Sequence, residues 1–244
     1  ITRLGVRAVE LKWGQGAKNI GGEVKVGSLE KARQLKQRGY VVLPDPDDPV
    51  VAEAFARGGF HEFERHSRVG MANRDAFLRR VEELRKLGAK WVFLKTGAYR
   101  PADLARAVKW SSEAAIDLLT VDAAGAGTGM SPWRMMNEWG IPGVELHSLL
   151  YQYCHRLARK GAYVPPVALA GGFTFEDQIF KGFALAAPYV RLIAWARSPL
   201  AAAMVGKTIG RHIQDSTLPL YIERFGTTVG EIFVTAPELQ ERYK

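Results

Sequence analysis

Leu118–Pro132 reads L-L-T-V-D-A-A-G-A-G-T-G-M-S-P, an apolar run that ends in Asp122 and breaks into the small residues Gly125, Gly127, Thr128 and Gly129. A buried strand that gives way to a glycine-rich loop suits phosphates and flat cofactors, because backbone N–H groups can approach a ligand closely there. Lys95 closes W-V-F-L-K. A lysine ending an apolar strand sets an ammonium where it can stabilise an anionic oxygen, although it can also snorkel to solvent. Gly171-Gly172 follow V-A-L-A, and A-W-A-R-S (194–198) follows V-R-L-I. Barrels bind phosphate at loops after their last two strands; tight turns are the plainer use of the same glycines. W-G-Q-G-A-K-N-I-G-G-E (13–23) sets Gln15, Lys18 and Glu23 in a loop with four glycines. Such a loop can wrap a small polar substrate or serve only as a turn.

Other signals fail on their spacing. Gly206-Lys207-Thr208 resembles the end of a P-loop, but Ala201 stands where the leading glycine must be. Gly125-Ala126-Gly127 lacks the third glycine of the dinucleotide fingerprint, since position 130 is methionine. His61 and His66 are five apart and do not make H-E-x-x-H. Cys154, in a helical span, reads as a packed thiol.

The elements that must position these residues alternate. Strands are expected at Ala8–Lys12, Tyr40–Leu43, Trp91–Lys95, Ile116–Val121, Val167–Ala170 and Tyr189–Ala194. Helices are expected at Leu29–Arg38 (capped by Ser28), Val50–Phe63, Arg74–Leu87 (capped by Asn73), Pro101–Ala114, Glu145–Lys160, Phe175–Ala186 and from Leu200 onward. His66–Asn73 reads as a polar connection. Apolar strands that do not alternate imply a parallel sheet covered on both faces. Chemical residues stand at the strands' C-terminal ends: Gln15 and Lys18, Asp45, Lys95, Asp122, Gly171-Gly172 and Arg197. That polarity predicts an α/β fold of the TIM-type (β/α)8 barrel class, with a doubly wound sheet as the alternative. Six units instead of eight predict a barrel whose first one or two β/α units are missing from this chain. Ile1 at the start suggests part of a longer protein. The expected division is a barrel over 1–209 and an extension over 210–244.

Composition narrows the partners. The chain has 244 residues, 47% hydrophobic and 24% charged, with a net charge of +9. Its cations are interleaved with acids along helices, without basic runs and stacking aromatics, so nucleic acid is not an expected partner. One cysteine excludes an internal disulfide and a multi-cysteine metal site, and suggests a reducing, cytoplasmic compartment. No apolar run reaches membrane-spanning length, and no signal-peptide pattern is present.

Taken together, four of these stretches resemble one family, the FMN-binding (β/α)8 synthase domain of glutamate synthases and its short bacterial and archaeal relatives. The family's S-Q-G-A-K-P-G-x-G-G is similar to residues 14–22, and its V-D-G-A-E-G-G-T-G-A-A-P to Val121–Pro132. The lysine of its F-K-L strand falls on Lys95, and its phosphate loops fall on Ala170-Gly171-Gly172 and Ala194–Ser198. The resemblance runs from about Val9 to Ile209.

It implies an FMN-dependent oxidoreductase that passes hydride between flavin and a small keto, imino or amino acid-like substrate, in the service of glutamate biosynthesis. Lys95 would lie near the flavin N1/C2 carbonyl and, with Lys18 and Gln15, form the catalytic set. Asp122, Gly127, Thr128 and Gly129 would line the flavin; Gly171, Gly172, Ala196 and Arg197 would hold its phosphate. Lys18 and Glu23 would contact an anionic substrate, with no metal. An electron-donor or glutaminase-type partner subunit, and an oligomer, are the implied assembly. The sequence departs from the family where Met204–Pro219 lacks the cysteines of an iron–sulfur centre, where Asn19 replaces proline and Glu23 a glutamine, and where Pro44–Pro49 replaces a histidine-bearing loop. The family's upstream P-M-S-x-G-A motif does not occur in this sequence. Two other classes stay open: a non-catalytic subunit of a larger redox assembly, and a flavin-free phosphate-binding barrel. The latter would be an isomerase or an aldolase; Lys95 as a Schiff-base lysine, revealed by borohydride trapping of substrate onto it, would favour the aldolase.

Overall fold

The computed structural model describes residues 1–16, 18–19, 24–68, 73–97, 100–127, 131 and 135–234, with 15, 18–19, 66–68, 229 and 233–234 described by backbone alone. The chain divides into two compact units, 1–194 and 195–244.

The first unit opens on β1 (Ala8–Lys12), then a two-rung hairpin of β2 (Gly14–Gln15) and β3 (Lys18–Asn19). An insertion follows: β4 (Val24–Val26), α1 (Leu29–Gln37), β5 (Tyr40–Leu43), α2 (Pro49–Ala56), β6 (Phe63–Arg68) and α3 (Arg74–Lys86). From there strands and helices alternate: β7 (Trp91–Gly97), α4 (Pro101–Glu113), β8 (Leu118–Asp122), α5 (Gly143–Arg159), β9 (Val167–Ala170), α6 (Glu176–Leu185) and β10 (Val190–Ala194). The helices begin where side chains satisfy their free amides. The Ser28 hydroxyl accepts from Lys31 N at 3.3 Å, Asp48 from Val50 N at 2.8 Å and Asn73 from Ala76 N at 2.8 Å.

The main sheet has five parallel strands in the order β1-β7-β8-β9-β10. The order never reverses, so each crossover moves the chain one strand further the same way. With the right-handed crossovers that parallel units adopt, α4, α5 and α6 fall on one face of the sheet. That winding is compatible with a barrel wall; a doubly wound sheet reverses and places helices on both faces. The five strands remain an open sheet, with β1 and β10 at its edges. Leu94, Leu119, Val121, Val167 and Leu169 pack with Leu104, Val108, Leu146 and Leu150 from the helices, all fully or almost fully buried. Each such side chain stabilises the unit by about 1.5–3 kcal/mol.

Two expectations are corrected. Tyr40–Leu43 forms a strand but not a unit of the parallel sheet; it joins an antiparallel sheet of order β4-β6-β5 over a separate small core of Val26, Ala32, Val42 and Phe63. Asp45 after it therefore lies apart from the parallel strands' ends and belongs to an exposed ion-pair cluster with Lys36, where this lysine lowers its carboxyl pKa. The helix expected over Val50–Phe63 stops at Ala56, and Phe63–Arg68 is a strand. Phe55, Phe60 and Phe63 imitate a helical stripe, yet they meet across the Gly58-Gly59 turn with ring centroids 5.0–5.4 Å apart.

The second unit is helical: α7 (Arg197–Gln214), α8 (Leu220–Glu223) and α9 (Val229–Val234). The expected division after residue 209 would fall inside α7, whereas the units separate between Ala194 and Trp195. No helix among the described residues is long and apolar enough to cross a membrane.

Candidate functional site

Chemistry concentrates at the C-terminal edge of the parallel sheet. Lys95 on β7 lies in register with Thr120 of β8, and Asp122 stands two residues further along β8, on the same face as Thr120. This diagonal brings Lys95 Nζ to 3.1 Å from Asp122 Oδ2, with the two side chains 23% and 5% exposed. Asp122 Oδ1 is buried and has no hydrogen-bond partner among the described residues. A carboxylate accepts on both oxygens, and an unmet acceptor costs about 1–3 kcal/mol. Of the pair, the Lys95 side chain reaches the surface, while Asp122 Oδ1 is enclosed. Next to it Trp13 donates its backbone N–H to Lys95 O at 2.8 Å and packs edge-on to Phe77 and Trp110.

The glycine loops meet backbone to backbone. Gly171 has φ +101°, and a Cβ there would lie 2.7 Å from both N and O of Ala123. A Cβ on Gly125 would come within 3.0 Å of Gly172 Cα, and one on Gly16 within 2.7 Å of the Ala126 carbonyl. The loops after β1, β8 and β9 therefore close on one another because side chains are absent, which accounts for Gly16, Gly125 and Gly171 without a ligand. Gly172 differs: its Cβ direction meets only Gly125 Cα, at 3.8 Å. The expected result is that Gly171→Ala costs about 3 kcal/mol or more, from overlap added to a left-handed backbone, and Gly172→Ala about 1–2 kcal/mol from the backbone alone. Urea unfolding of the two variants reads the difference; equal losses would contradict this packing.

The predicted site residues divide as follows. Lys95, Asp122, Gly127, Gly171 and Gly172 stand together at this edge. Gly127 ends the turn Ala124–Ala126, and a Cβ on it would lie 2.7 Å from Met136 Sδ. Gln15 and Lys18 face each other across the β2–β3 hairpin, whose Gly16 rests against Ala126. Their backbone is at the same edge. Ala196 and Arg197 belong to the second unit and open α7 without a side-chain cap. Glu23, Thr128 and Gly129 lie outside the described residues. Among the described residues no His, Cys, Asp or Glu group is arranged to hold a metal. Cys154 is fully buried in the core, and burial pushes its thiol up to about 12.

His147 was not legible as a site residue. It lies on α5, 2% exposed, stacked on Phe173 with ring centroids 5.8 Å apart and planes within 2°. Its Nε2 is buried and has no partner among the described residues, and burial lowers its pKa to about 4. It borders a cavity of about 640 Å³ lined by α5, α6 and the loops after β8 and β9, with Gly125, Gly171 and Gly172 in its wall. In sequence it sits beside Leu146 and three residues before Leu150, on an apolar helical face where histidine reads as core. Compared with protein-family models and with the curated proteins, the chain matches none.

Proposed function

We propose that this chain is an FMN-dependent oxidoreductase of the glutamate synthase type, built on a TIM-like barrel, that acts on a small anionic or amino acid-like substrate. The observation that carries this reading is the Lys95–Asp122 pair at the strand ends, in which Asp122 is buried and the Lys95 side chain stays 23% exposed. The unreversed strand order supports barrel winding over the doubly wound alternative.

The residues fit such a cofactor. An ammonium on a strand end suits a ring system that gains negative charge on reduction. The open side of Gly172 leaves its backbone approachable by a phosphate. Bound flavin supplies the hydride chemistry; the protein's residues bind, orient and set charge. Lys18, carried on the hairpin, would draw the carboxylate of a keto or amino acid toward this edge, with Gln15 opposite it. The reading extends to an electron-donor or glutaminase-type partner, to assembly through the open edges of the sheet, and to a cytoplasmic setting.

The test is the visible spectrum of the purified protein and the mass of whatever acid releases. Flavin bands with the mass of FMN are expected. A colourless protein that takes up no added FMN would overturn the reading, in favour of a non-catalytic subunit or a flavin-free phosphate-binding barrel.

A further inference from the structure

We infer that the groove between the later turns of α4 and α5 is a docking site for an acidic amphipathic helix of a partner protein. The inference goes beyond the proposed function and does not depend on it. The groove encloses about 370 Å³, and Ala105, Val108 and Lys109 on α4 face Arg156, Leu157 and Lys160 on α5 across it. Both helices lead back to the starts of the next strands, β8 and β9. Their later turns therefore lie toward the N-terminal edge of the parallel sheet, at the opposite end from Lys95, Asp122 and the glycine loops. None of the residues assigned to the flavin lines the groove.

The charge on its walls decides the kind of partner. The chain leaves α5 through H-R-L-A-R-K (155–160), while the one acid of this helix, Glu145, stands in its first turn. Arg156 and Lys160 are exposed, one turn apart, and form no ion pair among the described residues. The helix dipole accounts for cations at the end of α5, but not for Lys109, which stands across the groove on α4. The acid at the groove, Glu113, is already bonded to Arg74 at 2.6 Å and lies 4.0 Å from Lys109. Cations thus rim both walls above an apolar floor of Val108 and Leu157.

The walls are set before a partner arrives. Ser112 Oγ donates to the Tyr163 carbonyl, and Tyr163 Oη donates to Ile116 O at 2.9 Å, which ties the loop after α5 to the end of α4. Little ordering is then left for binding to oppose. An apolar floor between two rows of cations is complementary to a helix whose apolar stripe is flanked by carboxylates, laid into the groove. A free phosphate would use the cations and leave the floor wet. A nucleic acid would need stacking faces, and Tyr153 is the one aromatic residue in the lining.

The probe is a fluorescein-labelled helical peptide with leucine along one face and glutamate elsewhere, titrated against the whole chain by fluorescence anisotropy. The same peptide with glutamine for glutamate is its control. The expected result is saturable micromolar binding of the glutamate peptide, weakened by salt, and no saturable binding of the glutamine one. Arg156→Glu with Lys160→Glu should lower the affinity about tenfold, whereas Lys31→Glu with Arg38→Glu, the same charge change at exposed positions of α1 and its cap, should alter it little. Ala105→Trp fills the groove without changing charge and should also weaken binding. Absence of binding to the wild type, equal affinity for the two peptides, or equal weakening in the two charge-reversed variants would overturn the inference. So would tighter binding of a single-stranded oligothymidylate that is lost with Arg156→Glu and Lys160→Glu, because the groove would then be a nucleic-acid surface. The charge-reversed pairs decide even if Ala105→Trp does not fold, and the visible spectrum judges the flavin reading separately.

Discussion

Between pH 6.5 and about pH 4 the unfolding free energy is expected to fall by about 3 kcal/mol through His147 alone, and His147→Phe should lack this fall. The folded protein keeps His147 neutral because burial opposes its charge, lowering its pKa from 6.5 to about 4. In the unfolded chain the ring is solvated and protonates near its ordinary value. Below pH 6.5 the unfolded state therefore binds more protons than the folded state, so stability drops as pH falls, by about 1.4 kcal/mol per unit. The contribution is fully present above 6.5 and is lost as pH falls through the window; below about 4 both states are protonated and the slope vanishes. Urea midpoints of wild type and His147→Phe at pH 7, 5.5 and 4 check this. At pH 7 the variant should be as stable as wild type or slightly more so, because a buried nitrogen without a partner is removed. Parallel decline of both proteins would mean that His147 is not held neutral in the folded state.

His147 also illustrates which parts of the molecule are legible in sequence. Strands β8 and β9 are unbroken apolar runs ended by Asp122 and by Gly171, and helices α1 and α3 announce themselves by Ser28 and Asn73. Lys95 and Asp122 are each readable as strand ends. Their contact is not, because it depends on Lys95 pairing with Thr120, a register fixed by how α4 returns the chain. The glycines at 125 and 171 look like a ligand cradle in sequence, while in space they remove side chains between two loops. Strand β6 hides in E-R-H-S-R, whose polarity reads as loop; backbone pairing to β4 and β5 on both sides holds it, and only Phe63 signals the core beneath. The cavity by α5 leaves the faintest trace, one glycine inside a helix, because empty volume is made jointly by residues far apart in the chain.

Lys95→Met is expected to destabilise the protein by about 3 kcal/mol, near the lower end of the cost of breaking a buried ion pair because the ammonium is 23% exposed. The loss comes from Asp122, buried and then left with neither oxygen partnered among the described residues. Asp122→Asn in the same background should restore most of the stability, since a neutral amide tolerates that burial better than a carboxylate. This rescue separates the structural role of the pair from its proposed role toward flavin. On the proposed reading, with FMN bound, both the single and the double variant would lack the positive charge that favours the reduced, anionic ring. In both, the midpoint potential should fall by on the order of 30 mV, equivalent to about 1.4 kcal/mol in a two-electron couple. Asp122→Asn alone keeps the cation and removes its counter-charge, so its potential should rise. A double variant that is stable, binds flavin and keeps the wild-type potential would take Lys95 away from the flavin. The pair would then be a structural contact that closes two strand ends, and the cation for the reduced ring would have to come from another residue.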